Sequence, residues 1–105
     1  MPRADRGLTL EGLREQREEI LRVASLHGAS NLRIVGSVAR GEADAESDVD
    51  VLVDVDAETH GFAYFGLLED LRHALTDLLG RDVDVLDTAG LQGMRERVLK
   101  DAVPL

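Results

Sequence analysis

One stretch, residues 36–50, limits what this chain can fold into more than any other. It reads Gly-Ser-Val-Ala-Arg-Gly-Glu-Ala-Asp-Ala-Glu-Ser-Asp-Val-Asp. Ile34 and Val35 lead into it as the end of a short apolar strand, and a longer valine-rich strand follows it. Small residues, charges and glycines between two apolar runs are typical of a connection at the end of a sheet. The sequence therefore predicts a strand, a tight turn with a short helix, a polar connection and a second strand.

The start of this stretch favours binding of an anion. A strand that ends at Gly36-Ser37 and turns at once into a short helical segment directs unpaired backbone N–H groups outward. Such donors and the helix dipole together attract negative charge. Gly36 lets the backbone approach a ligand closely, and Ser37 adds a hydroxyl donor. We therefore expect a phosphate group at this turn.

The end of the stretch carries two carboxylates one residue apart. Asp48 and Asp50 lie near the start of the second strand, where side chains alternate, so both project from the same face. Neighbouring carboxylates raise each other's pKa unless a cation lies between them. A hard divalent cation with oxygen ligands, most simply Mg²⁺, satisfies that arrangement. A phosphate-binding turn beside such a pair indicates a site for a nucleoside triphosphate.

The complete pattern, Gly-Ser-x-Ala-Arg-Gly-x5-Ser-Asp-x-Asp, resembles the signature of the nucleotidyltransferase superfamily, which has a DNA polymerase β-like fold. In particular it resembles the minimal nucleotidyltransferases. The alternative, a surface hairpin with a solvated acidic edge, explains an isolated Asp-x-Asp but not the whole pattern. The matching positions are Gly36, Ser37, Ala39, Arg40, Gly41, Ser47, Asp48 and Asp50.

The resemblance implies a third carboxylate on the strand next to Asp48 and Asp50. Asp84, between Val83 and Val85, matches that position best. Asp82 has the same parity along the strand and is the competing assignment. The family then implies that Asp48 and Asp50 hold two Mg²⁺ ions, and that Asp84 binds the second ion, accepts the proton of the acceptor hydroxyl, or does both.

The family also implies roles for the residues of the turn. Gly36 and Ser37 hold the terminal phosphates of ATP, the expected substrate. Arg40 is a candidate phosphate ligand, because a guanidinium group binds phosphate through paired hydrogen bonds. Its alternative role is a salt bridge to a nearby carboxylate, and the sequence leaves open which is correct. The candidate partners of that salt bridge are Glu42, Asp44 and Glu46.

Small proteins of this kind resemble antitoxins that are encoded beside HEPN-domain toxins. There the family implies transfer of AMP from ATP to a tyrosine of the toxin, with release of pyrophosphate. A second hypothesis is a module that neutralises its partner by binding alone. A third, nucleotidylation of a small molecule such as an aminoglycoside, is less favoured because the chain has no second domain to hold that acceptor. The intact signature favours the enzyme.

Charge and composition exclude several other classes. Twelve basic and 21 acidic residues give a net charge of −9, and aromatic residues make up only 3%. A general nucleic-acid binder needs Lys, Arg and stacking aromatic side chains, so direct binding of nucleic acid is not expected. A basic protein partner fits better. The chain has no cysteine and no apolar run of membrane-spanning length, and we expect a cytoplasmic protein.

The periodicity predicts an α/β fold within one domain over residues 1–105, with a small mixed sheet of about three core strands flanked by helices. The first two strands should be antiparallel and the third parallel to the second. The odd positions of the second strand are all valine and should face the core. Its even positions form the active face, on which Asp54 and Asp56 are interpreted as solvated. The predicted helices are 10–27, 62–79 and 90–102, and the predicted strands are 32–35, 49–55 and 81–87.

Overall fold

The computed structural model describes residues 9–43, 48–55, 62–91 and 95–105. These residues form a mixed four-stranded sheet with flanking helices, which confirms the predicted fold class. In chain order the elements are α1 (Leu10–Glu15), α2 (Arg17–Leu26), β1 (Ala29–Val35), α3 (Gly36–Ala39), β2 (Val49–Val55), α4 (Phe62–Leu79), β3 (Val83–Asp87), a 3-10 turn (Thr88–Gly90), α5 (Arg95–Asp101) and β4 (Val103–Pro104).

The strands lie side by side in the order β3-β2-β1-β4. As predicted, β1 and β2 are antiparallel, and β3 is parallel to β2. The fourth strand was not predicted: Val103 and Pro104 pair in antiparallel fashion with Ile34 and Arg33. A two-residue strand that contains proline has no alternating pattern of its own, so only its pairing with β1 defines it.

The main core lies on one face of the sheet. The three valines at positions 49, 51 and 53 are at most 1% exposed, as the parity of β2 predicted. Leu71 and Leu75 of α4 and Ile20 of α2 are buried against the same face. Each such side chain contributes about 1.5–3 kcal/mol by leaving water. The periodic apolar residues therefore decide how α2 and α4 pack on the sheet.

The opposite face of the sheet is not open along its whole length. Leu52, an even-position residue of β2, is fully buried in a second apolar cluster with Val35 and Leu91. Val98 and Leu99 of α5 pack against this cluster. The prediction of an active face along all the even positions of β2 is therefore wrong at Leu52. Because Val98 and Leu99 of α5 pack against the middle of this face, the end of β2 that carries Asp50 is separated from the end that carries Asp54.

The first helix differs from the prediction at its midpoint. Instead of one helix over 10–27, α1 and α2 are separated at Gln16, which has φ −106° and ψ 16°. Gln16 N–H bonds Leu13 O at 3.0 Å, a tighter i to i−3 bond. Every residue between Leu13 and Ile20 is polar or charged. No apolar side chain therefore holds the middle of the segment against the core.

Two other elements begin at residues that differ from the prediction. β1 begins at Ala29 rather than at residue 32, and its pairing with β2 is irregular between Ser30 and Arg33. Within that irregularity Asn31 has a positive φ of 52°. The last helix begins at Arg95, since Gly90, the predicted start, belongs to the 3-10 turn. Within the described ranges, no helix is long and apolar enough to cross a membrane.

Candidate functional site

Gly36 joins β1 to the turn and lies directly against Asp50. Its φ is +74°, a left-handed conformation that glycine adopts without steric cost. A Cβ atom at this position would overlap Asp50 Oδ2 and lie 3.3 Å from Asp50 Cγ. Position 36 therefore requires glycine for two reasons, the backbone angle and the space. The close approach also brings the backbone of the turn into contact with a predicted metal-binding carboxylate.

Residues 36–41, which we call the signature turn, are held by local hydrogen bonds and one apolar anchor. The N–H of Arg40 bonds Gly36 O at 3.2 Å, and the N–H of Glu42 bonds Ser37 O at 2.9 Å. Val38 is only 1% exposed and belongs to the main core. The buried valine fixes the turn on the sheet, while Gly36 and Ser37, the two residues before it, remain half-buried.

The sheet register brings Asp50 and Asp84 side by side. The two residues are paired on neighbouring parallel strands, and paired residues project from the same face. Asp82 lies just before β3, and its carbonyl accepts a hydrogen bond from the N–H of Val49 at 3.0 Å. The geometry therefore favours Asp84 over Asp82 as the third carboxylate, because Asp84 is the one opposite Asp50. Asp48, at the start of β2, is exposed beside them.

We call Asp48, Asp50 and Asp84 the acidic cluster, since they act on one another electrostatically. The pKa of Asp50 is raised above its ordinary value, first by burial and then by the negative charges of Asp84 and Asp48. Arg40 opposes this rise, but it is the last of the contributions. Charge at Asp50 is therefore only partly compensated by the protein, and a bound divalent cation would relieve the repulsion.

The oxygen ligands of the acidic cluster suit a hard cation such as Mg²⁺. In the part of the chain that the structure describes, no three His, Cys, Asp or Glu side chains are already gathered as a metal-binding group. The backbone register thus aligns the strands that carry the acidic cluster. The side chains of the cluster do not form a ready-made metal-binding group. The residues fit the metal by chemistry and by strand placement, and metal binding stays a prediction.

Arg40 pairs with two carboxylates. Its Nε donates to Glu42 Oε1 at 2.9 Å, and its Nη1 lies 3.6 Å from Asp101 Oδ2 on α5. The hydrogen bond with Glu42 is the main reason why the pKa of Arg40 is raised. Glu42 was one of the three predicted partners, whereas Asp101 was not foreseen. Because all three side chains are solvent-accessible, these pairs are weak.

Asp54 is engaged more strongly than the sequence analysis expected. Its carboxylate accepts hydrogen bonds from Thr88 Oγ1 at 2.5 Å, Asn31 Nδ2 at 3.0 Å and Arg33 Nη2 at 2.8 Å. These contacts lower its pKa, with the Thr88 bond as the largest cause. We call Asn31, Arg33, Asp54 and Thr88 the polar network. It joins β1, β2 and the turn after β3, and Asn31 contributes to it from within the irregular pairing of β1 with β2.

Several residues from the sequence analysis lie outside the described part of the structure. They are Asp44, Glu46, Ser47 and Asp56. Ser47 is therefore a member of the signature whose position stays a prediction. The structure does describe the other predicted site residues, and it brings Gly36, Asp50 and Asp84 together at one end of the sheet.

Comparisons with known proteins identify the family of this chain. A family model described as "Nucleotidyltransferase domain" matches residues 13–105. A protein of Methanocaldococcus jannaschii named "putative protein adenylyltransferase" is 32% identical over 92 residues, which cover 87% of this chain and 95% of that protein.

Two solved structures are also similar. One, described as a "putative minimal nucleotidyltransferase", has a TM-score of 0.78 and 42% identity, and the match covers 92% of this chain and 96% of that one. The other, described as a "toxin-antitoxin with AMP-PNP", has a TM-score of 0.57 and 23% identity, with 70% and 57% covered, and shows likeness of fold. The family match over most of the chain, together with the signature turn beside Asp50, shows that this protein belongs to the nucleotidyltransferase family and is a nucleotidyltransferase.

Proposed function

We propose that this nucleotidyltransferase transfers AMP from ATP to a hydroxyl group of a partner protein, and that the acceptor is a tyrosine of a HEPN-type toxin. The observation that carries the proposal is the pairing of Asp50 with Asp84 beside the backbone of Gly36. A phosphate-binding turn in contact with one carboxylate, which itself faces a second, is the arrangement that transfer from a triphosphate needs.

The acidic cluster would hold Mg²⁺ in this proposal. Asp48, Asp50 and Asp84 are the candidate ligands, and the raised pKa of Asp50 reflects the repulsion that a cation would relieve. A bound Mg²⁺ supplies neutralisation of phosphate charge and polarisation of the phosphorus–oxygen bonds. The signature turn would bind the terminal phosphates through its backbone N–H groups and Ser37, and Arg40 would exchange its carboxylate partners for a phosphate.

The proposed reaction balances as a single displacement. The acceptor hydroxyl oxygen forms a bond to the α-phosphorus of ATP, and the bond from that phosphorus to the oxygen bridging to the β-phosphate breaks. Pyrophosphate leaves, and AMP remains on the acceptor as a phosphodiester. Asp84 would accept the hydroxyl proton and pass it to water. Its exposed position is suited to this role, because the carboxylate can meet both an external acceptor and solvent.

A protein acceptor is supported by three points. The M. jannaschii relative, nearly all of which is matched, carries the name of a protein adenylyltransferase. One structural neighbour is described as a toxin–antitoxin with a nucleotide analogue, which is a setting in which such a partner occurs. The strong negative charge of this chain also fits a basic protein surface better than a nucleic acid.

The experiment uses ATP labelled at the α-phosphate, Mg²⁺, this protein and the protein encoded beside its gene. Wild type is compared with Asp48→Asn and Asp50→Asn, and pyrophosphate is measured in parallel. We expect label on the partner, released pyrophosphate, and loss of both with either variant. If the partner stays unlabelled and is still neutralised by both variants, the protein acts by binding alone and the catalytic proposal is wrong for that partner.

A further inference from the structure

Leu86 is an exposed apolar side chain to which the proposed reaction gives no role. Within the described ranges, the exposed large apolar side chains are Leu86, which is 37% exposed, and Leu26 on α2, which is 76% exposed. A lone exposed leucine is common on protein surfaces and does not by itself indicate a site. Leu86 differs from Leu26 in its position, because it follows Asp84 on β3 by two residues.

Strand alternation places Leu86 on the face of the sheet that carries the acidic cluster. Asp84 and Leu86 are exposed, whereas Val83 and Asp87 are buried on the opposite face. Two residues along a strand span about 6.6 Å. A chemical group of this length that lies along β3 therefore contacts both Asp84 and Leu86.

The residue beside Leu86 on β2 is covered, but Leu86 is not. The register pairs Leu86 with Leu52, which is fully buried in the second apolar cluster. Val98 and Leu99 of α5 pack against that cluster, and within the described ranges the cluster does not include Leu86. Leu86 thus extends the apolar middle of the face toward β3, where its side chain is accessible next to the acidic cluster.

The proposed reaction brings the acceptor, rather than the terminal phosphates, to this side of the site. The signature turn, which would bind those phosphates, follows β1 and contacts Asp50 on β2. In an in-line displacement the attacking oxygen lies opposite the leaving group, which is pyrophosphate here. β3 lies on the other side of β2 from β1. The acceptor hydroxyl therefore arrives over β3 at Asp84, and the group that carries it meets Leu86.

The spacing of Asp84 and Leu86 suits a phenolic acceptor. The hydroxyl and the Cβ atom of a tyrosine lie at opposite ends of the ring, so a hydroxyl at Asp84 lets the ring lie along the strand to Leu86. The same spacing in the opposite direction leads to Asp82, an exposed carboxylate, so apolar contact is available toward Leu86. Serine and threonine carry the hydroxyl on Cβ and have no ring to cover Leu86.

We propose that Leu86 selects a phenolic acceptor, by packing against the ring of the acceptor tyrosine while the hydroxyl of that tyrosine lies at Asp84. This role of Leu86 rests on the proposed transfer to a tyrosine of a partner protein. It adds a specificity-determining contact that belongs neither to the acidic cluster nor to the signature turn.

The test is a double-mutant cycle between Leu86 and the acceptor tyrosine. That tyrosine is first identified by mapping the label that wild type transfers from ATP to the protein encoded beside this gene. Leu86→Ala removes the apolar contact, Leu86→Met restores an apolar side chain of similar volume, and Leu26→Ala is the control on α2. Each form is titrated with a non-hydrolysable ATP analogue and the partner, whose acceptor tyrosine is intact or replaced by phenylalanine or alanine.

We expect Leu86→Ala to weaken binding of the tyrosine and phenylalanine forms of the partner about tenfold, the scale of one lost apolar contact. Leu86→Met and Leu26→Ala should bind these forms as wild type does. The alanine form of the partner should bind equally to wild type and Leu86→Ala, because it has no ring to lose. In transfer assays, Leu86→Ala should raise KM for the partner about tenfold and leave KM for ATP unchanged.

Three results would overturn the role of Leu86 while the transfer proposal stands. The first is an unchanged affinity of Leu86→Ala for the tyrosine form, and the second is an equal loss of affinity for all three forms, which a general structural defect would cause. The third is label on a serine or threonine of the partner. If wild type labels no residue of the partner, the transfer proposal itself is wrong and the role of Leu86 falls with it.

Discussion

Asp50 and Asp54 lie on the same strand and the same face of the sheet, with Leu52 between them, yet the protein treats the two carboxylates in opposite ways. Asp54 receives hydrogen bonds from three side chains, and its pKa is lowered. Asp50 is placed against other carboxylates and a glycine backbone, and its pKa is raised. Asp54 is thus stabilised in its charged form within the fold, whereas the charge of Asp50 is only partly compensated.

If Asp50 is the cation ligand that we propose, the difference separates a ligand carboxylate from a structural carboxylate in one strand. A structural carboxylate is stabilised in its charged form by donors of the same chain, so its charge contributes to folding. A ligand carboxylate is left with unbalanced charge, which costs stability until the ligand binds. The predictions below test whether the two residues divide in this way between stability and activity.

The largest expected effect is on AMP transfer. Asp50→Asn should lower the rate of label transfer by about 100-fold or more, because it removes a candidate cation ligand and its charge. Asp54→Asn should leave the rate within about twofold, since Asp54 contributes to folding alone and lies at the far end of the face. The measurement is the initial rate of AMP transfer at saturating ATP and Mg²⁺. Equal losses of transfer rate in Asp50→Asn and Asp54→Asn would show that the two carboxylates do not divide between activity and stability.

The second-largest expected effect comes from a change at the close contact between Gly36 and Asp50. Gly36→Ala should destabilise the protein and weaken ATP binding, because its Cβ would overlap Asp50 Oδ2 in addition to straining the backbone. Gly80→Ala is the matched control: its φ is +70°, and no atom lies within 4 Å of the added Cβ. Backbone strain alone costs about 1–2 kcal/mol in both.

Denaturant unfolding and ATP titration of the two alanine variants measure the comparison. A larger loss of unfolding free energy in Gly36→Ala than in Gly80→Ala, with ATP binding reduced only in Gly36→Ala, would show that close packing on Asp50 matters for the site. If the two variants lose the same stability and both still bind ATP, Asp50 can move away from the added Cβ atom without affecting stability or ATP binding.

The smallest effect is on stability and its pH dependence in metal-free buffer. At neutral pH, Asp54→Asn should lower the free energy of unfolding by about 1 kcal/mol, a modest value because the carboxylate is partly exposed. Asp50→Asn should instead raise it, since the variant removes a repelled charge. Urea unfolding of both variants and wild type from neutral to acid pH gives the two differences.

The signs of the two pKa shifts set where each difference disappears. The lowered pKa of Asp54 means that its stabilisation is present above its ordinary value of 3.8 and is lost as pH falls through the lower folded value. The raised pKa of Asp50 means that its cost is present above the folded value and disappears as pH falls toward 3.8. The effect of Asp50→Asn should therefore vanish at a higher pH than that of Asp54→Asn. The reverse order would contradict the assignment.

Much of the fold followed from local patterns in the chain. Helix α4 and strand β2 have the predicted bounds. The leucines of α4 recur at helical spacing and the valines of β2 at every second residue, so each pattern fits one type of element. Thr9 caps α1 by accepting a hydrogen bond from the N–H of Gly12, and threonine is one of the residue types preferred at that position. The break at Gln16 and the strand at Val103 were missed, since each depends on what the segment packs against.

The sequence by itself determined the signature turn, the Asp-x-Asp pair and the valine face of β2. These depend on backbone sterics and on side-chain alternation, which act between neighbours in the chain. Only the tertiary structure decided that Asp84 rather than Asp82 faces Asp50, that Leu52 is buried beneath α5, that Arg40 reaches Asp101, and that Asp54 belongs to a polar network. The physical reason is register: which residues meet across strands depends on how distant segments align, and no local pattern fixes that alignment.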